Sequence, residues 1–128
     1  MAVELNHIII PAKDKHASAE FLAEILSLDV SPQFGPFIPV QVGGVTLDFM
    51  DSDDFRPEWH HCAFLVTEPE FDEILARVKE LGVTYYPNPQ HTGPGEINHD
   101  WGGRGFYFDD PNGHNLEVLT QPYGHQPD

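Results

Sequence analysis

The chain has 128 residues, with 21 Asp or Glu against 6 Lys or Arg and a formal net charge of −15. Hydrophobic residues make up 40% and aromatics 12%, enough for one folded core and too much for a disordered acidic chain. Without clusters of Lys and Arg nothing is available to neutralise phosphate backbones or anionic lipid, which excludes nucleic-acid and membrane-surface roles. The single cysteine, Cys62, excludes an intrachain disulfide framework, and no apolar run approaches the roughly 20 residues that cross a bilayer. The first residues lack the basic start and apolar stretch of a signal peptide, so a cytoplasmic protein is expected.

Val3 to Ile10 is rich in β-branched residues and reads as a strand that stops at Pro11. A helix follows, capped by Asp14, with Phe21, Leu22, Ile25 and Leu26 on one apolar face. Pro32 to Pro36 breaks the chain, and two apolar segments, Phe37 to Val42 and Val45 to Met50, are joined by the hairpin signal Gly43-Gly44. The same order then returns. Trp59 to Val66 reads as a strand, Thr67 and Glu70 form a capping box, and Phe71, Ile74, Leu75, Val78 and Leu81 follow helical spacing up to Gly82. Thr84 to Tyr86, Gly105 to Asp109 and His114 to Thr120 read as strands, with a Gly- and Pro-rich loop over Pro87 to Arg104 and a turn at Asp110-Pro111-Asn112-Gly113. The tail from Gln121 is expected to fray.

This order is an internal repeat. His7 and His61 stand 54 residues apart, each in the first strand of its half. Gly44-Val45-Thr46-Leu47-Asp48-Phe49-Met50 aligns with Gly113-His114-Asn115-Leu116-Glu117-Val118-Leu119 at an offset of 69. The second half therefore holds 15 extra residues, which fit in the Pro87 to Arg104 loop. Long loops on small domains are often functional.

His7, Asp48, His61 and Glu117 are polar residues at matching places on elements otherwise built for burial. Taken singly, a strand histidine is more often hydrogen-bonded or half-exposed than a ligand, and an acid on an alternating strand often faces solvent. The repeat changes that weighting, because chance must then place matching ligand types at matching positions twice.

Leu5-Asn6-His7-Ile8, His61-Cys62-Ala63-Phe64-Leu65-Val66 and, above all, Gly105-Phe106-Tyr107-Phe108-Asp109-Asp110-Pro111-Asn112-Gly113-His114-Asn115-Leu116-Glu117 carry a resemblance. The chain resembles the vicinal oxygen chelate superfamily, which includes glyoxalase I, methylmalonyl-CoA epimerase, fosfomycin-resistance enzymes, extradiol dioxygenases and bleomycin-resistance proteins. The resemblance implies an α+β fold in which two βαβββ modules form a cup-shaped mixed sheet around a divalent metal. One domain over residues 1–120 is expected, with modules at 1–55 and 56–120 and a tail at 121–128. The family's metal ligands fall on His7, His61 and Glu117, and Asp48 occupies a fourth ligand position of glyoxalase-like members. Neighbouring strand residues point to opposite faces, so only one of His60 and His61 can enter the cup, and the family pattern favours His61.

Two imidazoles and a carboxylate leave open positions on Fe, Mn, Co, Ni or Zn, where a small-molecule substrate can chelate through two oxygens. Arg104, bordering the loop, either orients a substrate carboxylate or phosphate or pairs with a nearby acid. His99 and Trp101 in the loop and Tyr107 beyond it are the other candidate substrate-binding residues. Size matches single-pair lyases, epimerases and transferases, so lyase or isomerase chemistry is preferred to ring-cleaving dioxygenation. The fosfomycin group calls for more basic residues than the chain has. The alternative is a non-catalytic, drug-sequestering protein of the bleomycin-resistance type, which the acidity favours and the three ligand positions oppose. A homodimer is expected from the resemblance.

Overall fold

The computed structural model describes residues 3–54, 56, 60–122 and 124. The chain forms two compact units, one of residues 1–57 with 110–112 and the other of residues 58–109 with 113–128. In the first, β1 (His7–Ala12) leads through α1 (Lys15–Leu26) to the hairpin of β2 (Phe37–Val42) and β3 (Val45–Asp51). The sheet order is β1-β3-β2, parallel between β1 and β3 and antiparallel between β2 and β3. The second unit repeats this with β4 (His61–Leu65), α2 (Glu68–Glu80), β5 (Gly105–Asp109) and β6 (Asn115–Leu119), in the order β4-β6-β5. The register repeats as well: His7 faces Thr46 and Ile9 faces Asp48, as His61 faces Asn115 and Ala63 faces Glu117. The α+β class and the mixed sheets follow the expectation.

Local sequence explains the helix ends. Asp14 accepts from the backbone N–H groups of His16 and Ala17, and Thr67 and Glu70 close a reciprocal capping box on α2. Gly82 takes φ +71 just past α2, the left-handed conformation that ends a helix at lowest cost for glycine. In the first unit the Asp110 to Asn112 turn is fastened to the start of α1. Ser18 donates to Asp110 at 2.5 Å, and Asn112 Nδ2 donates to Ser18 Oγ and to the Asp14 carbonyl, each at 2.7 Å.

Three expectations need correction. Pro11 lies inside β1 instead of ending it. The carbonyls of Asn6 and Ala12 both accept from the β3 side, so even-numbered residues of β1 bond inward and the missing N–H of Pro11 faces the outer edge. The segment from Val3 to Asn6 stays outside the strand, with Val3 and Leu5 exposed. The third module strand shrinks to single bridges, Val30 to Val40 and Tyr86 to Tyr107, because Pro32 and Pro87 arrive before a ladder can extend. Trp59, expected at the start of β4, lies outside the described residues.

Period-2 alternation gives each sheet a buried face. Ile10, Ala12, Ile38, Val40, Leu47 and Phe49 pack with Leu22 and Ile25 of α1 in the first unit. Phe106, Phe108, Leu116 and Val118 pack with Phe71, Ile74 and Val78 of α2 in the second. The second core is aromatic at its centre, with Phe71 edge-on to Phe106 at 5.3 Å. The same alternation turns His61, Tyr107 and Glu117 to the other face of the second sheet. Among the described residues, no helix is long and apolar enough to cross a membrane.

Candidate metal centre

His61 opens β4 and Glu117 sits midway along β6, in strands paired in parallel. His61 Nε2 stands 3.1 Å from Glu117 Oε1, and His61 Nδ1 stands 2.8 Å from the Asn115 carbonyl oxygen. A carbonyl only accepts, so Nδ1 carries a proton and donates it. In the neutral ring Nε2 is then a lone pair aimed at a carboxylate, an arrangement that requires a proton or a metal cation between the two. An imidazole anchored through Nδ1–H to a backbone carbonyl, with Nε2 free to ligate, is the usual state of a metal-binding histidine. The donor chemistry of this pair therefore fits a divalent ion. Among the described residues no three His, Cys, Asp or Glu side chains converge, so the pair is a two-donor half-site.

Tyr107, beside Glu117 across β5 and β6, completes the row. Its hydroxyl donates to Glu117, and its ring stacks on His61 at 5.9 Å with 22° between planes. Burial, then the Glu117 charge and hydrogen bond, then Asp100, push its pKa up to about 12, so the hydroxyl remains a donor. A cavity of about 250 Å³ opens over this row, lined by His61, Asn98, Trp101, Tyr107, Glu117 and Gln121, together with Asp100, Arg104 and Leu119.

Arg104 reaches the cavity wall with its guanidinium already engaged. It donates to Glu68 at 2.8 Å and Asp72 at 2.9 Å on α2, and lies 4.3 Å over the Phe71 ring. Of its two readings, the structure shows the pairing. Hydrogen bonds from Thr120 and then Arg104 lower the pKa of Glu68 and keep it ionised. Trp101 lines the cavity from a short 3-10 turn, in left-handed backbone at φ +59, and is 43% exposed. His99, just before that turn, is exposed and outside the lining. His7 and Asp48 belong to the first unit. His7 Nδ1 is 2.7 Å from Asn6 Oδ1, and Asp48 lies half-buried in the middle of β3, facing Ile9 and Pro39. His60 faces away from His61 and meets His114 edge-on at 5.7 Å; burial and then the His114 charge lower its pKa. Sequence reading missed Asn115, whose carbonyl orients His61, and Gln121, which lines the cavity instead of fraying with the tail.

Two sheets of this topology, with a histidine and a carboxylate at equivalent register, define the class. Residues 4–118 match the model of the Glyoxalase/Bleomycin resistance protein/Dioxygenase superfamily, and the chain belongs to that superfamily. Among solved structures, Oxidase ChaP-H2 is 59% identical and superposes with a TM-score of 0.93 over 99% of this chain and 100% of that one. Oxidase ChaP-H1 is 54% identical, with a TM-score of 0.90 over 96% and 99%. Glutathione transferase FosA of Serratia marcescens is 27% identical over 124 residues, 92% of this chain and 81% of the relative. These relatives are enzymes by name, and they act by different chemistries.

Proposed function

We propose that this protein is a metal-dependent oxidase of a small molecule that binds the ion through neighbouring oxygens. The observation that carries the reading is the similarity to Oxidase ChaP-H2 along essentially the whole chain, together with the His61–Glu117 half-site. His61 and Glu117 hold the ion, His7 supplies the third ligand, and Asp48 stands at a fourth position. The His7 contribution comes from the same chain or from a second copy in a homodimer. When bound, a redox-active divalent ion supplies Lewis acidity and access to O₂ chemistry. Tyr107 keeps its proton and holds Glu117 in orientation. Trp101 and Leu119 exclude water from one side of the cavity, while Asn98, Asp100 and Gln121 offer hydrogen bonds to substrate hydroxyls. His99 is a further proposed contact at the loop.

The charge of the site separates this reading from a FosA-like one. Among the described lining residues Arg104 is the only Lys or Arg, and its donors are taken up by α2. Apart from the ion itself, an anionic substrate therefore meets Asp100 with no uncommitted cationic side chain in the described lining, whereas a neutral polyhydroxylated one does not suffer that repulsion. The lyase or isomerase preference is set aside here because the highly similar structures are oxidases.

The test is metal analysis of protein purified without an affinity tag, followed by anaerobic reconstitution with Fe(II) or Mn(II) and oxygen-electrode assays on catechols and hydroquinones. Bound metal and substrate-dependent oxygen uptake are expected. Metal binding with turnover but no oxygen uptake returns the reading to a lyase or isomerase. No metal uptake at all favours the sequestering protein, a second reading supported by the net charge of −15, which suits a cationic ligand. Light scattering at twice the 14.4 kDa chain mass checks the homodimer.

A further inference from the structure

His91 lies in the stretch of extra residues, outside the cavity lining, in left-handed backbone at φ +62. A histidine adopts that conformation at a cost, so its surroundings must hold it. The ring stacks on Tyr86 with 4.4 Å between centroids and 6° between planes. Nε2 stands 3.2 Å from Asn115 Oδ1 and 3.6 Å from Asp109 Oδ1. Asp109 and Asn115 face one another across β5 and β6, so this imidazole spans the two strands that carry Tyr107 and Glu117. Tyr86, under the ring, exchanges both backbone hydrogen bonds with Tyr107, at 2.8 and 2.7 Å.

Asn115 joins these contacts to the metal half-site. Its side chain meets His91 and, at a longer 3.5 Å, the Pro89 carbonyl, while its own carbonyl accepts the proton of His61 Nδ1. It is the first residue of β6, facing His61 on one side and Asp109 on the other. A side-chain anchor at that point limits how far the carbonyl can swing. In the first unit the equivalent residue, Thr46, bonds instead to Gln41 within its own hairpin, and His7 Nδ1 meets Asn6.

We propose that His91 and Asn115 are positioning residues, clamping the inserted loop to the β5–β6 pair and thereby holding the His61 ring with Nδ1 protonated and Nε2 turned to the ion. The inference rests on the reading of His61 as a ligand, and two measurements keep the failures apart. In the full metal-free chain, imidazole ¹⁵N spectra taken above the imidazole titration range show which nitrogen of His61 carries the proton. The Nδ1–H form is expected to dominate in the parent protein and to give way to a mixed population in His91→Phe and Asn115→Ala. The second measurement is Co(II) titration, in which both variants are expected to bind about 10-fold more weakly, the lower end of what outer partners of metal ligands contribute. His91→Gln, which keeps an N–H toward Asn115, should recover much of that loss. An unchanged His61 tautomer in folded His91→Phe and Asn115→Ala overturns the proposal, whatever the affinities do. Undiminished Co(II) binding by His61→Ala overturns the ligand reading instead.

Discussion

In the first unit the row that crosses the sheet reads Ile9, Asp48, Pro39; in the second the same row reads Ala63, Glu117, Tyr107. Both rows place a carboxylate in the middle strand, yet only the second places a hydroxyl donor beside it and a histidine against it. Pro39 offers neither. The cores differ in the same sense, aliphatic in the first unit apart from Phe49 and centred on Phe71, Phe106 and Phe108 in the second. The two frames thus match in topology and register, while the hydroxyl donor, the histidine–carboxylate contact and the long loop stand on the second.

Substitutions at matching positions test this asymmetry. Glu117→Ala or His61→Ala should abolish Co(II) or Fe(II) uptake, while Asp48→Ala should leave most of it, measured by titration; equal losses at Asp48 and Glu117 would break the comparison. Phe106→Ala should cost about 3–5 kcal/mol in denaturant unfolding, against about 0.5–1.5 kcal/mol for Ile38→Val in the first sheet. Gly103→Ala should cost about 1–3 kcal/mol. A Cβ there would lie 2.6 Å from Thr120 Oγ1 and 2.8 Å from Gln121 Cγ, so the variant should also disturb the Gln121 side of the cavity. The smallest contrast concerns the helix caps. Thr67→Ala and Asp14→Ala should each cost about 1 kcal/mol, but only α2 adds a reciprocal carboxylate, since Ala17 stands where Glu70 does. Backbone and side-chain bonds from Thr67 hold the pKa of Glu70 down. A depressed carboxylate stabilises the fold above its unfolded pKa and loses that contribution as pH falls through its folded one. Unfolding of Thr67→Ala followed from neutral pH down through the carboxylate range should therefore show a shallower acid loss than the parent.

Much of this was legible in the residues because the signals were local. The capping box, Gly43-Gly44 and the alternation that turns His61 and Glu117 to one face each depend on neighbours within a few positions. What was not legible depends on distant partners. Nothing near Arg104 announces that Glu68 and Asp72 absorb its charge, and Pro11 reads as a strand end unless the strand is known to be an edge. Asn115 was hidden for a further reason: the group that orients His61 is its carbonyl, which every residue possesses.

The prolines of the first sheet carry one more consequence. Pro11 in β1 and Pro39 in β2 occupy the two outer strands. Pro11 turns its missing donor outward, and Pro39 sends its carbonyl to Ser31 on the side away from β3. Pro11 breaks the row of N–H groups on the β1 side, and on the β2 side the bridges from Val30 and Phe34 already take up part of that row. For an acidic protein with exposed Leu5, Ile9 and Phe34, this blocks templated strand addition, the first step toward fibrous aggregates, where charge repulsion alone weakens in salt.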